Sequence, residues 1–233
     1  MTSCDSYRDV EEPFTRLFRR YWPDCPFELA VNGETGAAPG FDRQLLCGRG
    51  KSWSAMLAEA LARIDSPYVL LMMNDYFLCR RVDTALVLRR LAEAKAKDAL
   101  SYRLVPQPPR AVKNTAYSVS CKATIWNRLF LMSLASRTDS AWDFERRGSF
   151  MFDLSDPRPI LVAAEDELPF VDIVHKGYWE PNEMDFLRRE GIEVDLSVRG
   201  LPPFGVRLRE WLKGKAFGLA PDLVTRLQNR LQR

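Results

Sequence analysis

The chain has 233 residues, 46% hydrophobic and 28% charged, with a net charge of +3. That length fits one α/β domain with at most a small appendage, and the apolar content supports a core, which excludes wholesale disorder. Charge this balanced argues against a nucleic-acid partner, which draws on a large excess of Lys and Arg, and no run of roughly 18 apolar residues offers a spanning helix.

The N-terminus, Met-Thr-Ser-Cys-Asp, has no basic region and no apolar signal segment, so a cytoplasmic protein is expected. Residues 13–21 predict a helix with Phe14, Leu17, Phe18 and Tyr21 on one face, ended by Pro23 and Pro26. Residues 27–31 predict a short strand closed by Asn32-Gly33. Residues 33–50 are Gly-rich and read as irregular. Ser52 is placed to cap a helix carrying Trp53, Met56, Leu57, Ala60, Leu61 and Ile64 at helical spacing. The run 67–73, Pro-Tyr-Val-Leu-Leu-Met-Met, is continuously apolar, the mark of a strand buried on both faces. It stops at Asn74-Asp75. Asp83 opens another helix, and 99–104 is the next strand. This alternation predicts a Rossmann-type, mainly parallel sheet flanked by helices.

The second half is less regular: a Pro- and Lys-containing loop over 105–116, a helix over about 121–135, strands at 160–164 and 170–174, and a helix over 181–190 stopped by Gly191. From Val206 a basic, partly amphipathic helix pair follows, so 1–200 reads as the main domain and 201–233 as a tail. Its basic residues beside Trp211 and Phe217 suit peripheral attachment to an anionic membrane; the plainer alternative packs the tail on the domain. The five cysteines are scattered and never spaced Cys-x-x-Cys, which argues for reduced thiols. The lone histidine, His175, and the absence of Gly-x-Ser-x-Gly argue against a Ser-His-Asp hydrolase.

Ligands of an open parallel sheet bind beyond the carboxyl ends of its strands, and Asp75 lies at such an end. A carboxylate leaving an apolar strand is costly without a partner. A divalent cation, Mg²⁺ or Mn²⁺, bridging a diphosphate would be one; the alternative is that Asp75 only caps the turn. Asp143 and Glu145 are general-base candidates for removing a proton from an acceptor hydroxyl. On a strand the pair would share a face; on a helix they would be about 200° apart, so one alone would face a site. Glu145 is the choice, with Asp143 an acceptor contact or a cap, and the alternative is that both lie on a solvated helix. Arg49 and Lys51 precede a helix N-terminus and suit a diphosphate, the alternative being a solvated loop.

The run Val69 to Leu78, with Ser3-Cys4-Asp5-Ser6-Tyr7, Tyr21-Trp22-Pro23-Asp24-Cys25-Pro26, Ser52-Trp53-Ser54, Tyr102-Arg103-Leu104, 120–128, Ser140 to Glu145 and His175-Lys176-Gly177-Tyr178-Trp179, resembles a bacterial GT-A-like glycosyltransferase family of polysaccharide and surface-glycan assembly. The likeness runs over roughly residues 2–200. It implies a nucleoside-diphosphate-sugar donor and a glycan or lipid-linked acceptor. In that frame Asp5 would contact the nucleotide, Asn74 and Asp75 the donor, with Asp75 and His175 as metal ligands. Lys176 would face the leaving diphosphate, and Trp142, Tyr178 and Trp179 an acceptor sugar. Two departures stand out. The family usually has an acidic residue at Asn74, and its first strand is longer than the segment ahead of Asp5. A non-catalytic nucleotide-sugar-binding or assembly relative is the rival reading. A nucleotidyltransferase ranks behind both, because residues 2–12 contain no glycine for a phosphate loop.

Overall fold

The computed structural model describes residues 1–106, 112–206 and 208–209. Helix α1 (Arg8–Tyr21) buries Val10, Phe14, Leu17 and Phe18 along one face. It starts well before the expected Pro13, which lies inside it. Packing of Val10 and the buried hydrogen bonds of Glu11, from the Ser3 hydroxyl at 2.5 Å and the Ala38 amide at 2.7 Å, outweigh the one backbone bond that a proline removes.

Strand β1 (Ala30–Gly33) pairs in parallel with β2 (Arg43–Leu46). Two expectations shift here. Asn32-Gly33 belongs to the strand rather than to a turn, and the segment read as irregular holds a strand of its own. Only Leu45 of β2 is buried, so this strand has no alternation for a sequence pattern to register. Helix α2 (Trp53–Ala62) is capped by the Ser52 hydroxyl, which accepts from the Ala55 amide. Strand β3 (Tyr68–Leu71) and strand β4 (Tyr76–Leu78) flank Asn74-Asp75. Helix α3 (Thr84–Ala96) is capped by Asp83 as expected, and β5 (Ser101–Arg103) follows.

The helix expected over 121–135 is two elements. Residues Thr124–Asn127 form β6, and α4 (Arg128–Ala135) begins only after the Asn127 side chain accepts from the Phe130 amide. Thr124, Ile125 and Trp126 are all buried, and β-branched and aromatic side chains fit a sheet buried on both faces better than a helix surface. Helix α5 (Ala141–Arg146), strands β7 (Ile160–Val162), β8 (Phe170–Asp172), β9 (Val174–His175) and β10 (Tyr178–Trp179), and helix α6 (Met184–Arg189) complete the described elements.

The central sheet has the order β3-β6-β5-β7, with β6 antiparallel to both neighbours and β5 parallel to β7. Thr2 bridges in parallel to Asn32 on one side and Met73 on the other, so it joins the β1–β2 pair to this sheet. The α/β architecture is therefore as expected, with β6 alone reversed. Helices cover both faces. Val10, Phe14, Val87 and Phe186 of α1, α3 and α6 pack in one core, and Leu57, Leu131 and Phe144 of α2, α4 and α5 in another. All five cysteines are free. Among the described residues no helix is long and apolar enough to cross a membrane. Nearly all of the basic tail lies outside the described residues.

Candidate active site

The chain leaves β3, turns through Asn74-Asp75 and enters β4, which pairs antiparallel with β8. The Ile173 amide donates to the Asp75 carbonyl at 3.0 Å, which brings the residues around Ile173 alongside Asp75. Beyond it, β9 and β10 form a hairpin through Lys176 (φ 52°) and Gly177 (φ 82°). Gly177 supplies a left-handed conformation at no steric cost, and Lys176 holds one beside it. The β4–β8 ladder at the end of β3 thus brings Asp172 within electrostatic reach of Asp75, and His175 within reach of Asp172. Glu145 joins them from α5. Asp143, two residues earlier on that helix, turns away: its carboxylate accepts from the Asp139 amide and the Arg147 guanidinium, each at 3.0 Å. The helical separation of this pair decides which of the two faces inward.

The electrostatics tie the cluster together. Asp75 is half-buried, and its Oδ1 is fully buried without a hydrogen-bond partner among the described residues. Burial pushes its carboxyl up to about 8, and the charges of Asp172 and Glu145 add to the rise against the opposing field of Arg199. Asp172, an exposed residue, is raised too, first by desolvation and then by Glu180, while His175 and Lys122 oppose the rise. Burial raises Glu145, against hydrogen bonds from the Cys121 amide (2.8 Å) and the Ser120 hydroxyl (3.2 Å) and the charges of Lys122 and Arg103. The Tyr76 phenol is raised well above its ordinary value by burial and by Glu145, Asp172 and Asp75 together. All three carboxylates therefore act on one phenol.

Asn74 is buried, and its amide nitrogen donates to the Ser3 hydroxyl at 3.0 Å. Ser3 donates in turn to Glu11. The Asn74 side chain thus fastens the end of β3 to the segment ahead of Asp5. Asp5 opens a 3-10 turn (Asp5–Tyr7), and Tyr7 of that turn feels the charge of Asp75. Asp5 itself is held below the usual carboxylate range by hydrogen bonds from Thr35 and Arg49. Its ion pair with the largely exposed Arg49 measures 2.8 Å. Lys51 pairs with Glu59 on α2. Trp142 is exposed and lies edge-on to His175 at 6.3 Å. Trp179 is buried.

Four participants were not singled out in the sequence. Asp172 sits in an ordinary-looking apolar strand, and Lys122 in a segment that reads as helix; Tyr76 looks like strand filler. Arg199 lies in the final residues of the expected domain. It is buried, donates to both Asp9 oxygens at 2.9 and 3.0 Å, to the Ser6 carbonyl at 3.0 Å and to the Gly177 carbonyl at 3.1 Å, and lies 4.3 Å from the Tyr7 ring centroid. This fork clamps α1, the hairpin and the Asp5 turn around Asp75. Arg199→Lys keeps the charge and loses the fork. We expect it to cost about 1 kcal/mol, a Tm lower by roughly 2–4 °C in a chain of this size. An unchanged Tm in scanning calorimetry would show that the clamp is not needed.

Among the described residues no group of three or more His, Cys, Asp or Glu side chains is arranged to hold a metal ion.

No family model matches the chain, and no curated protein matches it. Among solved structures it is similar to 2-C-methyl-D-erythritol 4-phosphate cytidylyltransferase from Thermus thermophilus (18% identity, 73% of this chain and 84% of that one, TM-score 0.42). It is similar also to the bifunctional IspDF from Campylobacter jejuni (15%, 70% and 44%, TM-score 0.40). A third is a cytidylyltransferase from Leptospira borgpetersenii serovar Hardjo-bovis (8%, 84% and 87%, TM-score 0.43). At these identities and scores the chemistry of the site has to follow from this chain's own residues.

Proposed function

We propose that this protein transfers a sugar from a nucleoside-diphosphate donor to a hydroxyl of a glycan or lipid-linked acceptor. The observation that carries the reading is Asp75, with its unpartnered Oδ1, among Asp172, Glu145 and Tyr76 at the end of β3. Two carboxylates with raised proton affinities suit a divalent cation carried in on a diphosphate, since Mg²⁺ takes one or two carboxylates plus phosphate oxygens. Asp75 and Asp172 would hold it, with His175 beside them. Bound there, it would offset the charge of the leaving diphosphate. Lys122 and Lys176 add positive charge on the same side. Asp5, Arg49 and Lys51 border the donor's approach, and Asn74 fixes the loop that presents Asp75.

Glu145 is the base. Both of its hydrogen bonds fall on Oε1, which leaves Oε2 for an acceptor hydroxyl. Its raised pKa brings it closer to the pH at which a base is most effective. A buried carboxylate with a free oxygen also favours this reading over nucleotidyl transfer to a phosphate: an ionised phosphate nucleophile needs no base, whereas a neutral hydroxyl needs one.

The deciding experiment is a hydrolysis and binding screen with UDP-, GDP-, dTDP- and CMP-sugars, with and without Mn²⁺ or Mg²⁺. Cation-dependent release of nucleotide supports the proposal. Donor binding without release would favour the non-catalytic relative, and neither binding nor release would remove the reading. If the acceptor is lipid-linked, a cytoplasmic enzyme gains from the basic tail as a peripheral anchor. Sedimentation with anionic liposomes should then fall by at least about tenfold between low and high salt. A chain ending at Gly205 should not sediment at all; equal sedimentation would rule out the tail.

A further inference from the structure

Strands β5 and β6 are antiparallel neighbours, and about two to five residues suffice to join such a pair. Residues 104–123 run between them instead. A connection of that length inside a compact domain usually carries function. Its second half is pinned to α5 and to the turn that follows. The Asn114 side-chain nitrogen donates to the Phe152 carbonyl and its oxygen accepts from the Phe152 amide, both at 3.1 Å. The buried Ser118 hydroxyl donates to the Ser149 carbonyl at 2.8 Å, the Val119 amide to the Ser149 hydroxyl at 3.0 Å and the Cys121 amide to Glu145 at 2.8 Å.

Among these bonds sits Tyr117, with φ 57°. Gly or Asn takes that left-handed backbone at little cost, whereas a bulky aromatic residue there is an outlier. The surroundings impose it. Arg103, itself buried, donates to the Tyr117 carbonyl at 2.8 Å, and the bonds of Ser118 and Val119 fix the next two residues. Backbone strain that neighbours over-determine in this way clusters at binding and catalytic sites. The strained side chain lies within electrostatic reach of Glu145. The Tyr117 ring is half-buried; burial raises its phenol first and the Glu145 charge next, with Arg146 opposing. Glu145 is also the first charge acting on the Tyr76 phenol, whose ring is stacked on Phe170 at 4.3 Å. Both phenols keep their protons at neutral pH, so each can donate as well as accept a hydrogen bond.

We propose that Tyr117 binds the acceptor, and that the acceptor presents a pyranose ring to it. The sugar packs its apolar face on the aromatic ring, the phenol hydroxyl bonds one sugar hydroxyl, and another hydroxyl of the same sugar reaches Oε2 of Glu145. A rigid aromatic ring held by its backbone positions that hydroxyl with little left to order on binding. The assignment rests on the sugar-transfer reading and narrows its acceptor to the end of a glycan. The bare phosphate of a lipid carrier has no ring face to place on Tyr117.

Saturation-transfer NMR with the methyl glycosides of glucose, galactose, mannose and N-acetylglucosamine reads binding without a donor, apart from any turnover. At least one glycoside should take up saturation from the parent chain. Tyr117→Phe keeps the ring and loses the hydroxyl, and should weaken that glycoside by about three- to tenfold. Tyr117→Gly should lose the signal and melt within about 3 °C of the parent, because Gly adopts this backbone freely and offsets the packing lost. No transfer to any glycoside, or equal affinity in all three proteins, would overturn the proposal. So would a large loss of Tm in Tyr117→Gly with parental binding by Tyr117→Phe, since the ring would then be structural. Binding that follows the variants while no nucleotide sugar is consumed would keep Tyr117 as a sugar contact and remove the transfer reading. Nucleotide sugar consumed by a protein that binds no glycoside would do the reverse.

Discussion

Glu145→Gln is expected to lower turnover by about 10²- to 10⁴-fold, the usual range for loss of a positioned base, with donor affinity unchanged. Gln is isosteric and can still accept from the Cys121 amide and the Ser120 hydroxyl that hold Glu145 in place. The fold around α5 should therefore survive, and only proton removal is lost. The split is diagnostic: a group acting in the transition state alone lowers kcat and kcat/KM together and leaves ground-state binding intact. Single-turnover kinetics beside calorimetric titration of the donor separate the two. Equal losses in binding and turnover would reassign Glu145 to holding the Cys121 loop. Asp143→Asn is the control on the same helix. Its carboxylate is spent on Arg147 and the Asp139 amide, so turnover should change by less than about threefold.

The sequence made the outline legible where one local cause dominated. The apolar run before Asn74 marked strand β3 and the position of Asp75 beyond its end, although Tyr68, Val69 and Leu70 are only half-buried where the run predicts burial on both faces. Ser52 and Asp83 announced their helices by the cap each supplies. The two-residue spacing of Asp143 and Glu145 left two arrangements open, and the helical α5 separates them, with Asp143 bound to Arg147 and the Asp139 amide. Legibility failed where partners distant in the chain decide. Residues 124–127 are strand because β3 and β5 flank them on both sides, a fact no local window contains. Asp172 gains its role from the β4–β8 register, and Arg199 from Asp9, 190 residues away. Lys122 was hidden by the same misread segment as β6. Charged residues that act through tertiary neighbours carry no periodic signature.

Asp75→Asn should reduce the pH dependence of stability that the metal-free protein shows between about pH 4 and pH 8, leaving the part that comes from the raised carboxyls of Asp172 and Glu145. The free carboxyl titrates near 4, whereas burial, Asp172 and Glu145 push it to about 8 in the fold. Over that window the folded state holds a proton that the unfolded chain has released. Stability is therefore fully present below pH 4 and falls as pH rises through the folded value. Every facing group has to be counted. Asp172, Glu145 and Tyr76 carry or can carry negative charge, and a backbone hydrogen bond and then the Arg199 charge oppose the rise of Asp75. Asp75 and Asp172 titrate as a pair, so the fall should spread over more than one unit. Asn keeps the shape and never ionises. At pH 8.5, with EDTA present, we expect Asp75→Asn to be the more stable protein by about 2 kcal/mol, a Tm higher by roughly 4–8 °C. At pH 4.5 the two should melt within about 2 °C of each other. Adding Mn²⁺ with UDP should reverse the order at pH 8.5, because a ligand bound only by the folded state stabilises it by mass action and Asn offers that cation one charge fewer. Parallel Tm curves for the two proteins across the whole range would show that Asp75 is solvated and ordinary, and the end of β3 would lose its claim to be the site. A normal crossover in EDTA with no response to Mn²⁺ and UDP would leave a strained carboxylate pair whose natural counter-charge is something other than a cation-bridged diphosphate.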